Sequence, residues 1–171
     1  MSVLTRHAIL AELSSGRLRV EPLEPDQVGA ASIDLHLGDR LRILSGPDAG
    51  PIAVTEDADV EHTTRIVSLA EPYVLEPGQT VLGMTRERIH LPPDLCGWLE
   101  GRSRIARLGL AIHVTSGFVQ PGSANHQVLE MSNVASAALE LHAGVRVCQI
   151  VLQRTEGEAV YRGRYADQDS P

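Results

Sequence analysis

From Ile33 to Arg154 the chain is written as short apolar alternations broken by turn residues, and that rhythm restricts it to folds made of short strands. "ASIDLHLGD" sets Ile33, Leu35 and Leu37 inward against Ser32, Asp34 and His36. "LRIL", "TRIVSLA", "TVLGMTRE", "LCGWLE", "LAIHVTSGFV", "HQVLEMSN", "ALELH" and "VRVCQIVLQR" continue the pattern. Between them stand "SGPDAGP", "EPGQ", "LPPD", "QPGSAN" and "HAGV", rich in the residues that accept turn geometry. Many short strands at this spacing predict an all-β barrel or sandwich.

Two stretches depart from the rhythm. "LTRHAILAELSSGRL" predicts an N-terminal helix over about 5–15, with Thr5 as cap, Ile9, Leu10 and Leu13 on one face, and Gly16 as its end. "SRIARLG" predicts one helical turn near 103–109, with Ser103 as cap, Ile105 and Leu108 a turn apart, and Gly109 closing it. The 171 residues form one domain, 1–171, with a tail over about 157–171. Aromatics are 3% of the chain, so its core is built from Val, Leu, Ile and Ala.

Charge and residue usage exclude several chemistries. The 15 basic residues are all arginine, so no lysine Schiff base or P-loop lysine operates here. A formal charge of −7 argues against nonspecific binding to nucleic acid or anionic membranes. Cys96 and Cys148 lie far apart in apolar runs and read as buried free thiols of a cytoplasmic protein. Neither CxxC nor HxE occurs, so a zinc site of the finger or deaminase type is not encoded. The opening "MSVLTRHAIL" has no long apolar run, which predicts neither a signal peptide nor a membrane span.

Against that acidic background, "EGRSRIARLGL" gathers Arg102, Arg104 and Arg107 beside Ser103. Guanidinium forks on one turn suit a phosphate anion. A surface turn whose arginines pair with acids such as Glu100 is the other reading, and this stretch alone leaves both open.

Read onward, "GWLEGRSRIARLGLAIHVTSGFVQPGSANHQVLEMSN", from Gly97 to Asn133, closely resembles the dCTP deaminase family, part of the trimeric dUTPase-like group. "ASIDLHLGD" upstream, "HAGVRVCQIVL" downstream and the closing "YRGRYADQ" extend the resemblance over nearly the whole chain. It implies a dUTPase-like distorted β-barrel, jelly-roll-like in layout, that hydrolyses dCTP to dUTP and ammonia and so feeds dUMP and dTTP synthesis. It implies no metal in the chemistry, with Mg2+ as counter-ion of the triphosphate and dTTP as a candidate inhibitor. It also implies a homotrimer with sites shared between subunits, and no nucleic-acid or membrane partner.

Carried over by the resemblance, Glu130 matches the catalytic glutamate, Ser103 the serine that helps hold the attacking water, and Arg107 the arginine beside the reacting base. The Ser116 carbonyl would be the water's other anchor, and Arg102 matches a triphosphate contact. Val128 and Leu129 would line the base with Glu130, and Gln149 lies in the matching nucleotide-contact strand. In the tail, Arg164, Tyr165 and Gln168 fall where the family has a basic residue, a tyrosine and a glutamine that close over the nucleotide, and Tyr161 is counted with them as a substrate contact. The residue types suit the chemistry: attack of water at C4 needs a base for the water, a proton for N3 and a proton for the leaving amine, and one carboxyl can serve all three in turn. His113, inside an apolar strand, reads as a hydrogen-bonded structural histidine, and Asp34 as a structural hydrogen-bonding residue.

Two positions depart from the family pattern. Arg104 stands where a second serine is usual, and adds charge to the turn. Gln120 replaces an aspartate set against the sugar, which dUTPases use to activate water; "SANH" then replaces a bulky residue followed by glycine. Three readings therefore stand: a dCTP deaminase, a bifunctional deaminase that also splits dUTP to dUMP and pyrophosphate, and a catalytically silent nucleotide-binding regulatory trimer. Gln120 counts against the second, and intact Glu130, Ser103 and Arg107 against the third.

Overall fold

The computed structural model describes residues 2–44, 50–56, 58, 63–113, 115–166 and 168–171; the turn signal over 45–49, Val114 of "LAIHVTSGFV" and Asp167 of the closing motif lie outside the described residues. In chain order the elements are α1 (Arg6–Ser14), β1 (Arg19–Glu21), β2 (Ile33–Leu44), β3 (Thr64–Ser68), β4 (Tyr73–Leu75), β5 (Thr80–His90), β6 (Leu95–Gly101), α2 (Ser103–Ala106), β7 (Leu110–Ile112), β8 (Phe118–Val119), β9 (Ala124–Asn133), β10 (Leu139–Leu141) and β11 (Arg146–Arg154). Among the described residues nine strands pair in one sheet of order β7-β9-β5-β2-β11-β6-β8, with β1 added to β5 and β3 to β2; β4 and β10 make a separate ribbon. Every pairing is antiparallel. The two ends of the sheet, β7 and β8, follow one another in the chain, joined by residues 113–117. The sheet is thus curled into the distorted barrel expected. The run "LAIHVTSGFV" is two short strands rather than one, because His113 adopts a left-handed φ of 52° and breaks the extension.

Alternation decides the core. Ile33, Leu35, Leu37 and Leu41 of β2 meet Val81 and Ile89 of β5, Leu129 and Met131 of β9, and Ile150 and Leu152 of β11, all fully buried or nearly so. Burying each such side chain contributes roughly 1.5–3 kcal/mol. The register slips between Leu37 and Leu41 where β2 meets β5. Gly38 permits this: a Cβ there would lie 2.9 Å from the Met84 carbonyl oxygen.

Two buried acids were hidden by local reading. Glu87 occupies a core position on β5 at 0% exposure. His36, placed outward by the alternation of β2, is buried instead because it serves Glu87: its backbone N–H and its Nδ1 reach the carboxylate at 2.8 and 2.6 Å, and Gln27 Nε2 donates at 3.1 Å. On α1, Ile9 is buried and Leu13 packs against the core, but Leu10 is exposed and Thr5 makes no side-chain cap. Glu12 is the buried residue in its place, paired with Arg17 at 2.9 Å and Arg154 at 2.5 Å, while Asp94 receives both arginines. Cys96 and Cys148 are free and buried, and burial pushes both thiols up. No helix among the described residues is long and apolar enough to cross a membrane.

Candidate active site

Strand β9 alternates through its whole length, with Asn125, Gln127, Leu129, Met131 and Asn133 buried and the residues between them half-buried. That places Val128 and Glu130 on one face, where both line a cleft of about 880 Å³. Leu82, paired with Glu130 across β5, and Leu99 add apolar wall. Leu129 does not join them: it is fully buried in the core, since neighbouring residues on a strand point to opposite faces. The reading that sets its side chain against the base is corrected.

Glu130 is held by the loop that joins β7 to β8. Thr115 donates to its Oε2 from the backbone N–H at 3.0 Å and from Oγ1 at 2.5 Å, and the His113 N–H donates to its backbone carbonyl at 2.9 Å. No described residue bonds the other oxygen, Oε1. Thr115 went unnoticed in the sequence; its signal was its place two residues past His113, in the segment "HVTSG". Ser116 lines the same cleft, as does Gln120, whose side-chain amide has no partner among the described residues.

The tail lies across this cleft. Tyr161, Arg164, Tyr165 and Gln168 all line it. The Tyr161 N–H donates to the Pro121 carbonyl at 2.9 Å, Asn125 Nδ2 to the Tyr165 carbonyl at 2.7 Å, and Arg88 pairs with Asp169 at 3.1 Å.

The arginine turn sits elsewhere. Arg102, Ser103, Arg104 and Arg107 do not line the cleft that holds Glu130, and neither does Gln149, whose Nε2 donates to the Gly101 carbonyl at 3.2 Å. Ser103 opens α2 as its first helical residue and makes no cap, because Arg102 takes the cap position. Gly109, at φ +92°, closes the turn against Ala135. Arg102 pairs with Asp34 rather than Glu100, while the exposed side chains of Arg104 and Arg107 have no partner among the described residues. No group of three His, Cys, Asp or Glu side chains among the described residues is placed to hold a metal ion.

His113 also lines the cleft, and it differs from expectation. Both ring nitrogens are shielded from solvent with no well-formed hydrogen bond among the described residues, the Val128 carbonyl being the one backbone acceptor that acts on the ring. Burial pushes its pKa down, with the Glu130 carboxylate and the Val128 carbonyl opposing. A histidine whose folded pKa is depressed binds more protons unfolded, so stability is complete above the unfolded value of about 6.5 and is lost as pH falls through the folded one. Urea melts between about pH 7.5 and 5.5 should show this loss, and His113→Asn, which tolerates the left-handed backbone, should flatten the slope. An unchanged slope in that variant would assign the acid sensitivity to other groups.

Comparison with known proteins follows the same outline. The family model described as dCTP deaminase-like matches residues 3–155. The chain is 39% identical over 181 residues to a dCTP deaminase, dUMP-forming, of Acidothermus cellulolyticus, covering 99% of this chain and 92% of that protein. It is 37% identical over 180 residues to a dCTP deaminase of Thermomicrobium roseum, covering 99% and 91%. Among solved structures, the 2'-deoxycytidine 5'-triphosphate deaminase of Agrobacterium tumefaciens superposes with a TM-score of 0.70 at 25% identity, covering 90% of this chain and 48% of that one, so this chain spans about half its length. A dUTPase of phage phi11 of S. aureus shares the fold at a TM-score of 0.51 and 16% identity, covering 86% and 96%.

Proposed function

Because the chain belongs to the dCTP deaminase-like family, we propose that it hydrolyses dCTP to dUTP and ammonia, with Glu130 carrying the protons. The observation that carries this reading is the unequal state of the two carboxylate oxygens. Thr115 occupies Oε2, which leaves Oε1 as the free base beside the apolar walls of Leu82 and Val128. In the proposed sequence Oε1 takes a proton from water as it attacks C4 and passes it to N3. The tetrahedral centre then collapses as the remaining hydroxyl proton travels by the same oxygen to the amine, which leaves as ammonia. The Ser116 carbonyl and a serine hydroxyl orient the water.

That serine comes from a second copy in this proposal. Ser103, Arg102, Arg104 and Arg107 stand off their own cleft, and a homotrimer would bring the turn of one subunit to the Glu130 of the next. Arg107 then faces the base and Arg102 the triphosphate, while Tyr161, Arg164, Tyr165 and Gln168 close the other side. Every proton runs through Glu130, so the proposal gives no metal a chemical role and Mg2+ only that of counter-ion to the phosphates.

A second reading has a specific observation behind it: relatives at 39% and 37% identity are named dUMP-forming. Gln120 weighs against it. Splitting the α–β phosphate link needs a deprotonated water, and an amide cannot accept that proton. Incubation with dCTP should yield ammonia and dUTP in equal amounts, and dUTP offered alone should stay intact. Absence of ammonia would overturn the deaminase reading. Catalytic release of pyrophosphate from either nucleotide would favour the second and direct attention to His126, which also lines the cleft.

A further inference from the structure

Asp34 lies on β2 between Ile33 and Leu35, both fully buried, with its own side chain 17% exposed on the opposite face. Across the sheet it stands level with Gln149 of β11, which stands level with Glu100 of β6. Two residues past Glu100 the chain leaves β6 at Arg102, and there Arg102 and Asp34 meet. Arg102 Nη2 lies 2.9 Å from Asp34 Oδ2, and Arg102 Nη1 donates to the Arg146 carbonyl at 3.2 Å. Both ends of the guanidinium are therefore fixed, one on β2 and one on β11, while the side chain stays 32% exposed.

The hold is anchored from behind. Arg146 Nη1 lies 4.0 Å from the same Asp34 oxygen, and its Nη2 pairs with Asp26 at 2.7 Å and Glu24 at 3.3 Å. Its Nε donates to His36 Nε2 at 3.1 Å, and His36 Nδ1 meets the fully buried Glu87 at 2.6 Å. Gln27 donates both to Glu87 and to the Asp34 carbonyl. Asp34 thus ends a chain of hydrogen bonds and ion pairs that begins inside the barrel, its link to Arg146 being the ion pair, and such networks fix side-chain direction.

We infer that Asp34 is a positioning residue: it holds the Arg102 fork at the angle from which its remaining N–H groups meet the substrate's phosphates. This rests on the reading of Arg102 as a triphosphate contact. The sign of the effect separates it from a bystander role. A carboxylate merely near an anion site repels the anion, so its removal would tighten phosphate binding. A carboxylate that aims the arginine has the opposite effect on removal.

The test is binding of inorganic tripolyphosphate by calorimetry, which needs no turnover, to wild type, Asp34→Ala, Arg102→Ala and the double variant. Asp34→Ala should weaken binding about tenfold, the loss expected for one charge-assisted hydrogen bond. The double variant should bind no worse than Arg102→Ala, because two residues acting through one contact are not additive. Asp34→Asn, which keeps an acceptor oxygen and the shape, should fold normally and fall between wild type and Asp34→Ala. With dCTP, the rise in KM should exceed the fall in kcat for each Asp34 variant. Binding that tightens or stays level in both Asp34 variants, additive losses in the double variant, or no binding by wild type would each overturn the inference. A wild type that binds tripolyphosphate but leaves dCTP unchanged would instead refute the deaminase reading while the binding series still decides the role of Asp34.

Discussion

Glu130→Gln should abolish dCTP turnover, by at least about 10²-fold, and leave nucleotide binding within a few-fold. The substitution is nearly isosteric, and an amide oxygen still accepts from the Thr115 N–H and hydroxyl, so the loop against β9 keeps its place. What disappears is the acceptor at Oε1, where no described residue competes for the lone pair. Water at that position can neither be deprotonated nor relayed to N3, so both halves of the reaction stop together. Ammonia release gives the turnover, and calorimetry with dCTP gives the affinity. Retention of more than about a tenth of the wild-type kcat would remove Glu130 from the role of proton carrier. A parallel collapse of affinity would make its role structural.

Mixing two inactive variants should restore activity. Ser103→Ala keeps Glu130 and lacks the serine; Glu130→Gln keeps the serine and lacks the base. In this fold the two residues belong to different surfaces of one subunit, since the cleft lined by Glu130 contains no residue of α2. In a trimer assembled across those surfaces, random exchange of equal amounts places one good serine opposite one good glutamate in about a quarter of the sites. From near-zero activity in either parent, the mixture should climb to about that fraction of wild type. Exchange has to be proven independently, for instance by mixed tagged trimers. Proven exchange without recovery would refute a site built between copies.

The alternation read along β2, β9 and β11 was a sound guide because each of those strands has one face in the barrel core. It put Ile33, Leu35 and Leu37 inside and set Val128 and Glu130 on a common face. It also sets Leu129 apart from them: the resemblance counts Leu129 with the base, but its side chain faces the core. His36 shows the limit of the method. Alternation tells which face a residue takes but not what covers that face, and His36 is covered because Glu87, 51 residues away, needs its proton donors. Leu10 and Glu12 of α1 exchanged their expected places for a similar reason: Arg17 and Arg154 give the acid a partner inside the contact. Thr115 and Asp34 were illegible as site residues because each matters through one distant partner, Glu130 and Arg102 respectively. Pairs of that kind are properties of the assembled sheet; at Thr115 only the segment "HVTSG" after His113 hints at one.

The loop over residues 113–117 has a consequence for the order of folding. It links β7 to β8, the strands at opposite ends of the sheet, which pair with β9 and β6 respectively. Contacts close in sequence need little loop closure, whereas the β2–β11 pairing must join His36 to Arg146, 110 residues apart. By that measure the Thr115–Glu130 contact, spanning 15 residues, is expected to form before it. A chain stalled short of the β2–β11 pairing would hold its oriented carboxylate and lack the strand alignment that sets Asp34 beside Arg102. The parts of the proposed site would then be gathered in two stages, the carboxylate first and the arginine fork with the completed sheet.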